Sequence, residues 1–117
     1  MRGMLFFMED RHITQLLHGN VEALVLKVLS GGSLHVYGIK KMLYDCSDGY
    51  LGLAEGRLYP LLRQLERRGF VSGRKAISNT GRVVREYSLT QSGSSYLDAR
   101  IRAWGIFAHK MNKIMKF

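Results

Sequence analysis

The sequence predicts a mainly α domain with one small β-hairpin, an α+β fold that ends in a long helix. Two observations predict it. Apolar residues recur at helical spacing over Val21 to Leu29, Val36 to Leu43 and Leu58 to Leu65, and again in steps of four and three from Leu97 to Met115. Between the third and last of these stretches the period changes. Phe70 to Ile77 and Arg82 to Leu89 are runs rich in Val, Ile and Tyr, set on either side of Ser78-Asn79-Thr80-Gly81, whose residues suit a turn. At 117 residues the chain is long enough for one modest core, and 46% hydrophobic with 23% charged residues is an ordinary folded composition.

The elements follow in order. His12 to Leu17 reads as a short helical lead-in, interrupted at Gly19, and residues 1–18 form the N-terminal segment. Within it, Met4 to Met8 is too short for a signal-peptide core or a membrane span, and no small-residue cleavage site follows. A frayed start and an apolar tail that tucks against a partner are both open for Met1 to Met8. Asn20 is a good N-cap for a first helix over about residues 20–30, in which Val21, Leu24, Val25, Val28 and Leu29 recur and which Gly31 and Gly32 stop. Ser33 to His35 is a short extended link. Val36, Ile39, Met42 and Leu43 then mark a second helix ending near Cys46, followed by a loop over Ser47 to Leu53 with Gly49 and Gly52.

The third helix, about residues 55–68, carries the most information. At about 100° per residue, Leu58, Leu62 and Leu65 fall in one narrow sector and Leu61 widens it to the breadth a helix buries on a core. The opposite sector holds Gly56, Pro60, Arg63 and Arg67, with Gln64 beside it. Small at its start and then armed with forked donors, such a face can enter a major groove, where arginine reads guanine edges or binds phosphate and glutamine reads adenine. A merely solvated arginine face is the alternative for an isolated helix. Two helices joined through a turn, the second with base-reading chemistry, form the helix-turn-helix plan, and the hairpin behind it takes the place of a wing. Arg74, Lys75, Arg82 and Arg85 flank or approach the hairpin turn, where they reach backbone or minor groove unless the hairpin is only a solubilising edge. Residues 19–89 thus form a winged helix-turn-helix domain.

Thr90 is an N-cap for a last helix over residues 90–117, ending near Lys116. Leu97, Ile101, Trp104, Ala108, Met111 and Met115 give it a coiled-coil spacing, as core of its own domain or as an interface with a second copy. About 25 residues of helix extend about 40 Å, longer than a winged core of this size covers. A second chain is the economical partner for the remainder, since the seam otherwise exposes an apolar patch.

Charge points the same way. Residues 1–53 carry five bases and five acids, whereas residues 54–117 carry thirteen bases and four acids, so the whole net charge of +9 lies in the second part. Arg57 to Arg85 alone holds eight bases against Glu66. A polyanion is the natural partner, although a basic surface also serves solubility or an anionic membrane.

The stretch Glu55-Gly56-Arg57-Leu58-Tyr59-Pro60-Leu61-Leu62-Arg63-Gln64-Leu65-Glu66-Arg67-Arg68-Gly69-Phe70-Val71 is similar to the segment of the PadR-like transcriptional regulators in which Leu-Tyr-Pro leads a leucine-striped recognition helix ending in Gly and two apolar residues. Gly19 with the Leu24 to Leu29 run, Tyr37 and Ile39, and Arg85-Glu86-Tyr87-Ser88-Leu89-Thr90 with Gly93 extend the resemblance over Gly19 to Gly93. The chain departs from it at Val36, Gly38, Ala54 and Arg57. Where the family has a capping Ser or Thr, Ala54 weakens the helix start by about 1 kcal/mol, partly offset by Glu55 at the positive end of the helix dipole. The resemblance implies a homodimeric, cytoplasmic regulator that binds double-stranded DNA, usually a repressor, with the C-terminal helix and N-terminal region building the dimer. Two recognition helices related by a two-fold axis enter successive major grooves about one turn apart, so an inverted-repeat operator is expected.

The candidate DNA contacts are therefore Gly56, Arg57, Tyr59, Pro60, Arg63, Gln64 and Arg67 on the helix and Arg74, Lys75, Arg82 and Arg85 on the wing. Leu97, Ile101, Trp104, Ala108, Met111 and Met115 are the candidate dimer seam. Trp104 with Phe107 can wall a slot for a small planar aromatic effector, unless the tryptophan is simply packed in the interface. No catalytic constellation, metal site or cofactor motif is found, and His12, His18, His35 and His109 are scattered. A lone Cys46 excludes an internal disulfide and fits a reducing cytoplasm. Two rivals stand beside the regulator. One is a winged-helix module that binds protein without specific DNA binding. The other is membrane-surface attachment through Arg100, Arg102, Lys110, Lys113 and Lys116, disfavoured because dimerisation consumes the apolar stripe beside them.

Overall fold

The computed structural model describes residues 11–116, so Met1 to Met8 lie outside the described residues. The chain runs α1 (Arg11–Leu17), α2 (Val21–Leu29), β1 (Leu34–His35), α3 (Val36–Cys46), α4 (Glu55–Arg67), β2 (Val71–Ile77), β3 (Val83–Leu89) and α5 (Gln91–Met115). Its sheet is antiparallel in the order β1-β3-β2. Here the sequence expectation fell short by a strand. Ser33 to His35 was expected as an extended link, and two of its residues pair with β3, Leu34 opposite Tyr87 and His35 opposite Glu86. A two-residue strand has too few positions to show alternation.

The leucine period of α4 does what its spacing predicts. Leu58, Leu62 and Leu65 are fully buried, and with Val25, Leu26, Leu29, Val36, Ile39, Leu43, Leu53, Val71 and Tyr87 they make one core shared by α2, α3, α4 and the sheet. Ala54 leaves α4 without a side-chain cap, as the sequence indicates. The other end is strongly closed. Phe70 N–H donates to the Leu65 carbonyl at 2.9 Å and Gly69 N–H to that of Glu66 at 3.0 Å, a Schellman closure whose left-handed residue, Gly69 at φ 80°, needs no Cβ. Pro60 lies inside α4 and cannot donate to the Gly56 carbonyl, a defect placed on the exposed side of the helix. Leucine burial holds the helix regardless.

Asn20 corrects the expected cap of α2. Its backbone is helical, and instead of accepting from the first turn its amide donates to the Leu16 carbonyl at 2.8 Å, closing α1. Asparagine carries donor and acceptor on one group, and here the donor wins. Thr90 caps α5 as expected, accepting from Gly93 N–H at 3.0 Å, and also donates to the Gly69 carbonyl at 2.6 Å. One hydroxyl therefore ties the start of α5 to the end of α4.

The first turns of α5 belong to the winged domain. Leu97 is 4% exposed within the core, which corrects its place in the proposed seam: it is spent inside its own chain. Steps of four and three cannot distinguish a stripe that changes partner part-way. Gly93 explains why α5 sits so close, because a Cβ there would overlap the Phe70 carbonyl oxygen. Gly93→Ala is therefore expected to destabilise the fold by about 1 to 3 kcal/mol, the usual cost of overpacking against an immobile group, read as a lowered midpoint in urea. Beyond Arg100, whose guanidinium donates to the Gly19 carbonyl, α5 leaves the core.

Candidate nucleic-acid interface

Around α4 the surroundings divide into four sectors. Leu58, Leu62 and Leu65 face the core; Gly56, Pro60, Arg63 and Arg67 are exposed on the far side. One flank faces the wing, where Glu55 and Tyr59 line a groove and Glu66 meets β2 and β3. The other flank carries Arg57, Leu61 and Gln64 along a smaller groove, of about 340 Å³, against Leu17 to Glu22 of the α1–α2 junction. So the helix residues singled out from sequence come together on one element. They do not share one direction: Arg63 and Arg67 are central, Tyr59 leans to the wing, Arg57 and Gln64 to the opposite flank.

Partners inside the protein sort the bases further. Arg85 donates to Glu66 Oε2 at 2.6 Å and lies 5.9 Å from the Tyr87 ring, and the hydrogen bond to Glu66 holds its guanidinium above the ordinary arginine value. Arg85 is thus paired within the protein, with its side chain still half exposed. Register explains the choice. Arg85 stands opposite Lys75 on the face that also bears Tyr87, which turns it toward α4. Arg74, on the other face, pairs with Glu86 at 3.2 Å but keeps most of its side chain exposed.

Arg68, part of the same basic run, is a structural residue. It pairs with Glu22 at 2.9 Å and lies over Phe70 and Tyr96 at 4.8 and 5.4 Å, while those two rings stack at 4.4 Å. Tyr96 donates to the other oxygen of Glu22 at 2.6 Å. The cluster links α2, α4 and α5. Tyr96→Phe is expected to cost about 1 kcal/mol of stability by leaving that oxygen of Glu22 without its donor, measurable by chemical unfolding. Of the eight bases from Arg57 to Arg85, then, Arg68, Arg74 and Arg85 pair with acids, and Arg57, Arg63, Arg67, Lys75 and Arg82 form no ion pair among the described residues.

A groove of about 770 Å³ separates the wing from α3 and the start of α4. Its walls include His35, Tyr37 and Lys41, none of which the sequence marks as a nucleic-acid contact. A signal was available: Tyr37, Lys41 and Tyr44 recur along α3 away from buried Val36, Ile39 and Leu43. Lys41 is paired with Asp45 at 2.9 Å on the surface. In a helix-turn-helix the first helix crosses the nucleic-acid backbone, and an exposed tyrosine with a lysine suits that position.

On α5, Trp104 and Phe107 have ring centroids 5.8 Å apart and are each 53% exposed. Ile101 and Met115 are also exposed, with Ala108 and Met111 half-buried. Among the described residues no group of His, Cys, Asp or Glu is arranged to hold a metal, and no helix is long and apolar enough to cross a membrane.

Residues 25–99 match the model of the Transcriptional regulator PadR-like family. The fold is similar to that of a PadR-like transcriptional regulator from Bacillus cereus, with 24% identity, a TM-score of 0.76, and coverage of 88% of this chain and 98% of that one. A transcriptional regulator from Streptococcus is 26% identical at a TM-score of 0.75, covering 86% and 97%. PadR of Bacillus subtilis, solved in complex with operator DNA, is 26% identical at a TM-score of 0.63, covering 70% of this chain and 46% of that one. No curated protein matches the chain in sequence.

Proposed function

We propose, for a chain that belongs to the PadR-like family of transcriptional regulators, that it binds an inverted-repeat operator as a homodimer in the cytoplasm and represses transcription there. The family consists of regulators rather than enzymes, and one similar protein was solved on operator DNA. The observation that carries the reading is the set of five bases without an acidic partner among the described residues: Arg63 and Arg67 at the centre of α4, Arg57 on its flank, Lys75 and Arg82 on the wing. Gly56 and Pro60 keep the start of the helix slim where it enters the groove. Gln64 and Tyr59 border it on either side, and Arg74, partly neutralised by Glu86, adds a weaker backbone contact.

The dimer reading rests on α5. Ile101, Trp104, Ala108, Met111 and Met115 lie in one sector of a helix that has already left its own core, with Phe107 at its edge. A second copy of α5 covers that sector and sets the distance between two recognition helices. Residues 19–89 act as the DNA-binding part and residues 90–117 as the dimerisation part, with the qualification that Leu97 packs into the former. Across the two-fold axis Trp104 and Phe107 form aromatic walls suited to a planar aromatic effector. Trp104 is the chain's single tryptophan, so quenching of its intrinsic fluorescence by such compounds reports on the slot directly.

Titration of labelled duplex DNA at several salt concentrations tests the function. A steep fall of log affinity with log salt is expected from several displaced counterions. A flat response removes the electrostatic footprint and leaves the protein-interaction module, which the departures at Ala54 and Arg57 keep open.

A further inference from the structure

We propose that Glu66 is a positioning residue for DNA recognition: by clamping Arg85 across Gly73 it sets the angle of the wing relative to the recognition helix. The inference rests on the DNA-binding reading above and adds a residue that would not touch DNA. Glu66 lies on the wing-facing flank of α4, where its Oε2 accepts from Arg85 Nη2 at 2.6 Å and from Gly73 N–H at 3.3 Å. One oxygen thus holds both strands of the wing, β3 through a side chain and β2 through its backbone. Gly73 makes this possible. A Cβ there would stand 2.6 Å from Arg85 Nε and 2.9 Å from its Cζ, so the guanidinium occupies this position over the strand because the side chain is absent.

The clamp adds little to global stability, since the side chains of Arg85 and Glu66 remain 48% and 31% exposed. Its effect is geometric. The hairpin extends from the core as far as Ile77 and Val83, which are 68% and 66% exposed, and the exposed bases Lys75 and Arg82 ride on it. A small rotation at Gly73 is magnified at that distance. Fixing the rotation brings Arg82 to the backbone at the same time as Arg63 and Arg67 meet the groove.

Electrostatics and positioning predict opposite signs, which makes the test decisive. Removing a carboxylate beside a polyanion tightens binding if charge alone matters. The probe is the duplex retained by the wild-type protein from a pool of genomic fragments, with a scrambled duplex of equal length as control. Glu66→Met, which keeps the length of the side chain but removes the acceptor oxygen, is expected, despite its gain in net charge, to bind the retained duplex about tenfold more weakly, the effect of one displaced contact, with no weakening on the scrambled duplex. Gly73→Ala changes no charge and displaces only a flexible side chain, and it is expected to lose the same factor with an unchanged unfolding midpoint. Combining the two should add nothing, because both open one clamp. Equal or tighter binding by Glu66→Met, or wild-type affinity in Gly73→Ala, overturns the inference while leaving DNA binding intact. A wild-type protein that retains no duplex overturns the DNA-binding reading and the clamp with it.

Discussion

Arg63→Ala and Arg67→Ala are each expected to weaken binding to the retained duplex by about 1 to 3 kcal/mol if they meet base edges, and by less, equally on every sequence, if they meet only phosphate. They are the bases for which α4 offers no alternative occupation. Both are exposed opposite Leu58, Leu62 and Leu65, one helical turn apart, and neither has an acidic partner among the described residues. Arg68, the next residue in the chain, gives the contrast. Its alanine variant is expected to lose stability first, because it leaves Glu22 without its cation and uncovers the Phe70–Tyr96 stack. Comparing the affinity and the unfolding midpoint of Arg67→Ala and Arg68→Ala checks the assignment. Arg67→Ala should change the first alone. Since the two residues are sequence neighbours of equal charge, a shared phenotype would mean that net positive charge, not the direction of the side chain, drives binding.

Trp104→Ala is expected to raise the dimer dissociation constant by two orders of magnitude or more. Truncating a buried tryptophan costs about 3 to 5 kcal/mol, and a two-fold interface contains the residue twice. In the single chain this residue is 53% exposed, so the same change should leave the stability of the winged domain nearly untouched. Sedimentation at several concentrations separates the two effects. Leu97→Ala should behave in the reverse way, lowering the unfolding midpoint through loss of core packing while the dimer persists in whatever fraction remains folded. A Trp104→Ala protein that stays dimeric at wild-type dilution would show that α5 has another covering.

These contrasts follow what the sequence makes legible. Period alone located the buried side of α4, since the spacing of Leu58, Leu62 and Leu65 has few other meanings, and the hairpin was legible from its turn residues and β-branched flanks. What escaped depends on pairs far apart in sequence. Arg85 reaches Glu66 across 19 positions and Arg68 reaches Glu22 across 46, so a count of bases between Arg57 and Arg85 does not tell which of them pair inside the protein. Leu97 escaped for a related reason: its helix touches its own core first and is exposed afterwards, and one heptad pattern serves both. Asn20 went to a donor role where the cap preference reads only the acceptor. Tyr37 and Lys41 stand on one stripe of α3, but their significance comes from a groove that exists only when the wing folds beside it.

The central claim is that two copies of this chain present α4 to DNA at a fixed separation. Hydroxyl-radical footprinting on duplexes retained from genomic fragments tests it most directly. The account predicts two protected patches about 10 base pairs apart, centred on an inverted repeat, with flanking protection from the wings and loss of the central protection in Arg63→Ala. A single patch, protection indifferent to sequence, or a pattern unchanged by Arg63→Ala would contradict it.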